Sequence, residues 1–389
     1  MPDHSLLRPM RTTAVFLSVT ALAIAAACSS NPSPSTSSRP RPGTRGALDS
    51  MPGNRVIENN RPDVSARAGM LVVANQQGAS ATVLDAASLQ TIATVPVGVG
   101  PHEVAVSYNG HWAVVSNYGD RATEGNTLSV IDLSAATPAV TRTIDLGQYH
   151  RPHGVVFVGN GNKLAVTSET SQRLLIVDFA SGRVDTALAT NGRGSHMVAA
   201  QRDGRRAWTG NIPDGTVTEY DLDARRTLRT YPAAPMDEGI AVTPGGVQVW
   251  VGSNTAHTVT VIDGRRGTPI DTLEGFGTAY RIGINRAGTL AMVSDPVSNH
   301  IWMYDLETRR QLAGIDLATV EGIRGPAGSP GASKAGPEGI AFDPIADVAY
   351  VTLNGTNQVV AVDLHTRKVV GFGPVGAGPD GIAYSPYVR

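Results

Sequence analysis

Three histidines, three carboxylates and one tyrosine recur along this chain at nearly even intervals. They are His102, His153, His196, Glu238, Tyr280, Glu338 and Asp380, spaced 42 to 58 residues apart. Four of them follow proline (Pro101, Pro152, Pro337, Pro379) and four precede glycine (Gly154, Gly239, Gly339, Gly381). Neutral imidazoles and carboxylates brought to one point are the donor set of a Zn, Cu or Fe site, with water in the open positions. His102, His153, His196 and Glu238 are therefore the metal candidates, and His150 in QYHRPHG offers a fourth imidazole. The same residue types move protons, which makes His153, Glu238 and Glu338 the catalytic candidates. Glu103 and Arg281 stand beside their repeat positions and, with Tyr280, Glu338 and Asp380, are the candidate ligand contacts. The competing reading is a ligand-free funnel whose mouth is polar because it is wet.

What brings these residues together is a repeat. The runs ATVLD, LSVID, LLIVD, VTEYD, VTVID, IWMYD and VVAVD end at Asp85, Asp132, Asp178, Asp221, Asp263, Asp305 and Asp363. A period of this length built only from strand-like runs predicts a β-propeller with about four strands per blade. One unit reads HEVAVSY (102–108) as strand A, WAVVSN (112–117) as B, TLSVIDL (127–133) as C and TRTIDLG (141–147) as D. Asn109-Gly110 between A and B is a strong hairpin signal. A column of mostly small residues, Ala105, Val156, Ala199, Ala241, Gly283, Ala341 and Ala383, suits innermost strands crowded round an axis.

Each B strand ends near a polar residue: Asn75, Asn117, Ser168, Asn211, Asn254, Asp295 and Asn354. That column and the seven Asp read as turn-forming structure. The first repeat begins at strand B (70–75) and the chain ends on a lone strand A (380–386), so the last strand should complete the first blade and remove the open edge. Strand A leaves the face on which it starts and B returns to it. The starts of A, the B–C loops and the D–A loops therefore share one face. The two longest departures from the repeat, YGDRATEGN (118–126) and the segment 318–337, fall there, and the second is a candidate lid.

GVQVWVGSN and DVAYVTLN, followed by TVTVID and QVVAVDL, resemble the YVTN-repeat seven-bladed propellers, which are related in fold to lactonase-like propellers. The resemblance covers residues 69–389 and implies the fold. Such propellers serve as enzymes, binding proteins and surface scaffolds, so it implies no catalytic residue. The triplets PHG, PEG and PDG at 152–154, 337–339 and 379–381 are similar to repeats of streptogramin lyase-like propellers.

The N-terminus reads as export. Arg8 and Arg11 precede the apolar run 12–27, too short to span a bilayer comfortably and typical of a signal peptide. The run ends in AAAC, which resembles a bacterial lipoprotein signal. Residues 1–27 would then be removed and Cys28 lipidated, tying the protein to the periplasmic face of the outer membrane. The alternative is an ordinary signal with an incidental cysteine. Residues 28–68 are Ser/Pro-rich and read as a tether.

Cys28 is the only cysteine, so there is no intrachain disulfide and no Cys pair for a zinc ribbon or covalent haem. A net charge of −1 leaves no basic field for nucleic acid. GxSxG, P-loop and HExxH motifs are absent from the sequence. The first functional reading is a monomeric cell-envelope lipoprotein that binds a small molecule, metal or protein partner on the ring face without turnover. The alternatives are a metal-dependent lyase or lactonase-type hydrolase using the ring, and a scaffold with no ligand.

Overall fold

The computed structural model describes residues 68–323 and 334–389. The expected signal peptide, Cys28, most of the expected tether and the middle of the candidate lid lie outside the described residues. What is described folds as seven four-stranded antiparallel sheets, the blades of a β-propeller. Blade 2 has strand A at Pro101–Val106, B at Trp112–Gly119, C at Glu124–Asp132 and D at Ala139–Asp145. The strand expectations thus hold to within a few residues.

Closure is also as expected. The last strand, Pro379–Ser385, pairs antiparallel with Met70–Asn75, with Val72 opposite Ala383 and Val73 opposite Ile382. Three N-terminal strands and one C-terminal strand make blade 1.

Hydrophobic patterning explains the stacking. B strands are buried along nearly their whole length, because each is flanked by strands on both edges and by blades on both faces. D strands alternate exposed and covered, as the rim of a wheel must. The core lies between blades: Ala105, Val114, Leu128 and Val130 of blade 2 pack on Val155, Phe157, Leu164 and Val166 of blade 3. Each such contact removes apolar surface at roughly 25 cal/mol per Å².

The seven Asp are structural. Asp85 Oδ1 accepts the backbone N–H of Ser88 at 2.7 Å, and Asp363 Oδ1 that of Thr366 at 2.6 Å. The polar column at the B ends is structural as well, with a shift. Asn75, Asn117 and Asn211 bridge two hydroxyls each on strand C. In blades 5 and 7, however, strand B ends at Ser253 and Leu353, so Asn254 and Asn354 stand one residue beyond the column. The segment 118–126 is a hairpin extension rather than a loop, with Gly119 opposite Glu124. Arg151 fixes it, its Nε 3.0 Å from Glu124 Oε1 and its guanidinium over the Tyr118 ring.

Candidate functional site

The start of strand A is irregular. In six blades the A–B register shifts at this point, as between Pro152 and Val155 and between Pro337 and Ile340. The ring residue and its successor fall inside that break. A hydroxyl on strand B takes the freed backbone N–H: Gly154 donates to Thr167 Oγ1 and Gly339 to Thr352 Oγ1, both at 2.8 Å. Glu103 and Arg281 donate in the same way to Ser116 and Ser294.

The glycines of the Pro-x-Gly triplets are a packing requirement. A Cβ at Gly339 would sit 2.3 Å from the Asp380 carbonyl oxygen, and one at Gly381 2.5 Å from that of His102. Neighbouring inner strands approach too closely for a side chain. The middle residue of each triplet is left to face the mouth.

All nine ring candidates come together. Arg281 is the hub. Its Nη1 lies 2.8 Å from Glu238 Oε1, and its Nη2 lies 3.0 Å from Glu103 Oε1 and 3.5 Å from Asp380 Oδ1. Its guanidinium also sits 4.5 Å from the centre of the Tyr280 ring. Asp380 Oδ2 is 2.6 Å from His102 Nδ1, and Glu238 Oε1 is 2.7 Å from His196 Nε2. The three imidazoles lie in a row, with centroids 4.5 Å apart from His102 to His153 and 3.5 Å from His153 to His196, the rings tilted by 34° and 35°. Ser195, beside His196, is turned to Asn211 Oδ1 at 3.0 Å and is no nucleophile for it.

Rings tilted in this way direct their nitrogen lone pairs along separate planes. Among the described residues no three His, Cys, Asp or Glu side chains are grouped to hold a metal ion. His153 is the exception to an otherwise satisfied cluster: it is buried, and neither ring nitrogen has a hydrogen-bond partner. His150 keeps its backbone on Ser168 and Ser171, and its Nδ1 also lacks a partner.

A second ring escaped the sequence reading. It lies one residue past the column of Asn75, Asn117, Ser168, Ser253 and Leu353 on the B strands, and Gln76, Tyr118, Glu169, Asn254 and Asn354 occupy it in five blades. Gln76 reaches His102, and Tyr118 donates its hydroxyl to Glu169 Oε2 at 2.9 Å. Glu169 lies 3.4 Å from His196 Nδ1. Asn254 and Asn354 donate to Glu238 and Glu338 at 3.2 and 3.1 Å. The signal was present, a polar residue after the B-end column, but the column had been set one residue late in two blades. Asp237 was missed too. It is fully buried beside Glu238, and neither carboxyl oxygen has a partner.

The surroundings set the protonation states. Burial opposes charge on His196, but Glu238 and Glu169 outweigh it and raise the imidazole to about 9. Burial and the nearby His196, His102 and Arg281 lower His153 well below the histidine range. Glu238 is also buried, yet His196 and Arg281 drive it far below the ordinary carboxylate range. Asp380 is held low against burial by His102 and Arg281. Glu338 goes the other way: burial, reinforced by Asp380, raises it to about 9, and burial raises Asp237 to about 8. At neutral pH the site therefore holds ionised carboxylates, carboxylic acids, an imidazolium and a neutral imidazole within one cluster.

No protein-family model matches the chain. No curated protein matches it either. Solved structures do. A chain of hydrazine synthase from Kuenenia stuttgartiensis superposes with a TM-score of 0.61 at 16% identity, covering 74% of this chain and 90% of that one. A functionally unknown protein from Desulfotomaculum acetoxidans DSM 771 gives 0.67 at 13% identity, covering 82% and 99%. At these identities the likeness is one of fold. The chain is a seven-bladed propeller.

Proposed function

We propose that the ring face binds a small ligand carrying a positive charge, in an exported protein of the YVTN-repeat propeller group. The carboxylates of the ring face carry this reading. Glu169, Glu238 and Asp380 are all lowered and ionised, and they share Arg281, His196 and His102 as partners. Glu338 and Asp237 are a reserve of negative charge, because an arriving cation would expel their protons. Tyr118 meets His102 and His153 in T-shaped contacts, its ring set nearly perpendicular to theirs.

The cation could be an organic ammonium or a divalent metal, and the unpartnered nitrogens of His153 favour the second source. A metal would require His153 and His196 to rotate out of their present contact. Titration calorimetry of the full chain with a panel of primary amines, and separately with zinc chloride, tells them apart. Binding should strengthen from pH 6 to pH 8 and weaken at least about tenfold in Glu238→Gln. Failure of both amines and zinc to bind at millimolar concentration would sink the reading. Were turnover to accompany binding, as in a lyase or lactonase-type hydrolase, His102 seated on Asp380 is the base and Glu338 the acid.

The proposed location is the periplasmic face of the outer membrane, with lipid on Cys28 and residues 28–68 as tether. Cys28→Ala should move the protein from the membrane to the soluble envelope fraction. Its retention in the membrane would count against the anchor.

A further inference from the structure

The opposite end of the propeller axis is built on a different principle. There the A strands end and the A–B turns begin, and they enclose a funnel of about 580 Å³. Small-molecule sites commonly measure about 300–1,000 Å³. Six blades line its wall with the residue that follows the small inner column: Val106, Ala200, Val242, Ile284, Phe342 and Tyr384. All six are apolar or aromatic.

The rim carries Arg202 of blade 4 and Arg286 of blade 6, and the lining includes no carboxylate. Both arginines are exposed, and neither side chain has an ion-pair or hydrogen-bond partner among the described residues. The acid beside Phe342 is not available to them: Asp343 is buried and accepts the backbone N–H groups of Ile345 and Ala346. The Glu103–Arg281 pair sits between the two mouths, one residue deeper than the ring. The funnel and the ring face are thus separate sites of opposite charge.

We infer that this funnel is a second binding site, and that it takes an amphipathic anion: a small carboxylate or sulfonate with an apolar body. The body fills the six-residue collar, which gives burial without directional demands. The anion is received by Arg202 and Arg286, whose planar guanidinium groups make charge-assisted hydrogen bonds to carboxylate oxygens. A neutral apolar molecule would leave the two guanidinium groups unused, and an amine would be repelled.

Calorimetry of the full chain at pH 7 with octanoate, 1-octanol and octylamine tests this. Octanoate should bind, octanol at least about tenfold more weakly, and octylamine not at this site. Arg202→Glu combined with Arg286→Glu, both at the exposed rim, should abolish octanoate binding while the melting temperature stays within a few degrees. The proposal is overturned if octanoate gives no binding up to about 10 mM, or if octanol binds as tightly. It is equally overturned if the charge-reversed protein binds octanoate like the unaltered one. Should that variant fold poorly, the three-ligand comparison on unaltered protein still decides.

Discussion

Glu103 and Arg281 meet across the propeller axis, Oε1 3.0 Å from Nη2, because each stands where four other blades carry glycine. At Gly154, Gly239, Gly339 and Gly381 the next blade's backbone occupies the space of a Cβ. In blades 2 and 6 the position admits a side chain, and both side chains turn into the axis. Arg281 then finds Glu238 and Asp380 as well, so one guanidinium ties four blades together. A buried charge this well surrounded is costly to leave alone and stable only as a set.

Removing the hub should therefore be expensive. Arg281→Met leaves Glu103, Glu238 and Asp380 without the cation they share, and an unfolding free energy lower by about 3–5 kcal/mol is expected. The loss should be smaller at pH 5 than at pH 8, because carboxyls deprived of the arginine can take up protons in acid. Urea titrations at the two pH values check this, and an equal loss at both would refute the electrostatic account.

The close approach of inner strands predicts a steric effect. Gly339→Ala would drive a methyl against the Asp380 carbonyl oxygen at 2.3 Å, an atom of backbone that cannot swing aside. A loss of about 1–3 kcal/mol is expected. Gly245→Ala is the control, since its nearest neighbour is a Val247 methyl at 3.8 Å and its φ is ordinary. If the two variants unfold alike, the packing argument for the Pro-x-Gly triplets fails.

How far the sequence could be read follows from which contacts are periodic. The ring of His102 to Asp380 was legible because every blade places it at the same point of strand A. The second ring was lost by a one-residue misalignment at Asn254 and Asn354, and in a strand such a slip moves a side chain to the other face. The pairing of Arg281 with Glu103 joins residues 178 positions apart and has no repeat to announce it. The protonation of Glu338 and Asp237 was out of reach for another reason: burial, which sets it, belongs to the assembled axis. The 118–126 hairpin was read as a loop because Asp120 to Thr123 at its tip masks the pairing on either side.

Ring closure gives a third test. The last strand pairs with Met70–Asn75 and places Ile382 in the core between blades 7 and 1. Deleting residues 380–389 would expose the edge of blade 1 and remove Asp380 from the Arg281 network. The truncated chain should lose the single cooperative unfolding transition of the full one. A truncated protein that melts like the full chain would refute closure by mixed ends.

The last prediction concerns alkali. His196 is raised from 6.5 to about 9, Glu338 from 4.5 to about 9, and Asp237 from 3.8 to about 8. Each group holds a proton in the fold that the unfolded chain has released. A folded-state value above the unfolded one gives stability that is complete below the unfolded value and lost as pH rises through the folded one. For the two carboxyls that decline starts near pH 4; for His196 it starts near 6.5, and all three are exhausted by about pH 9. The downward shifts of Glu238, Glu169 and Asp380 act with opposite sign below about pH 4.5, and that of His153 below about its ordinary value of 6.5. Between pH 6 and 9 the stability of the domain should therefore fall, by about 1.4 kcal/mol per pH unit for each extra proton the fold retains. Glu338→Gln keeps an uncharged side chain at every pH and removes one of those protons. It should flatten the decline and leave the variant more stable than the unaltered protein at pH 9. Urea midpoints measured at half-unit steps decide the matter: a curve level or rising from pH 6 to pH 9 would show that these groups are not protonated in the fold.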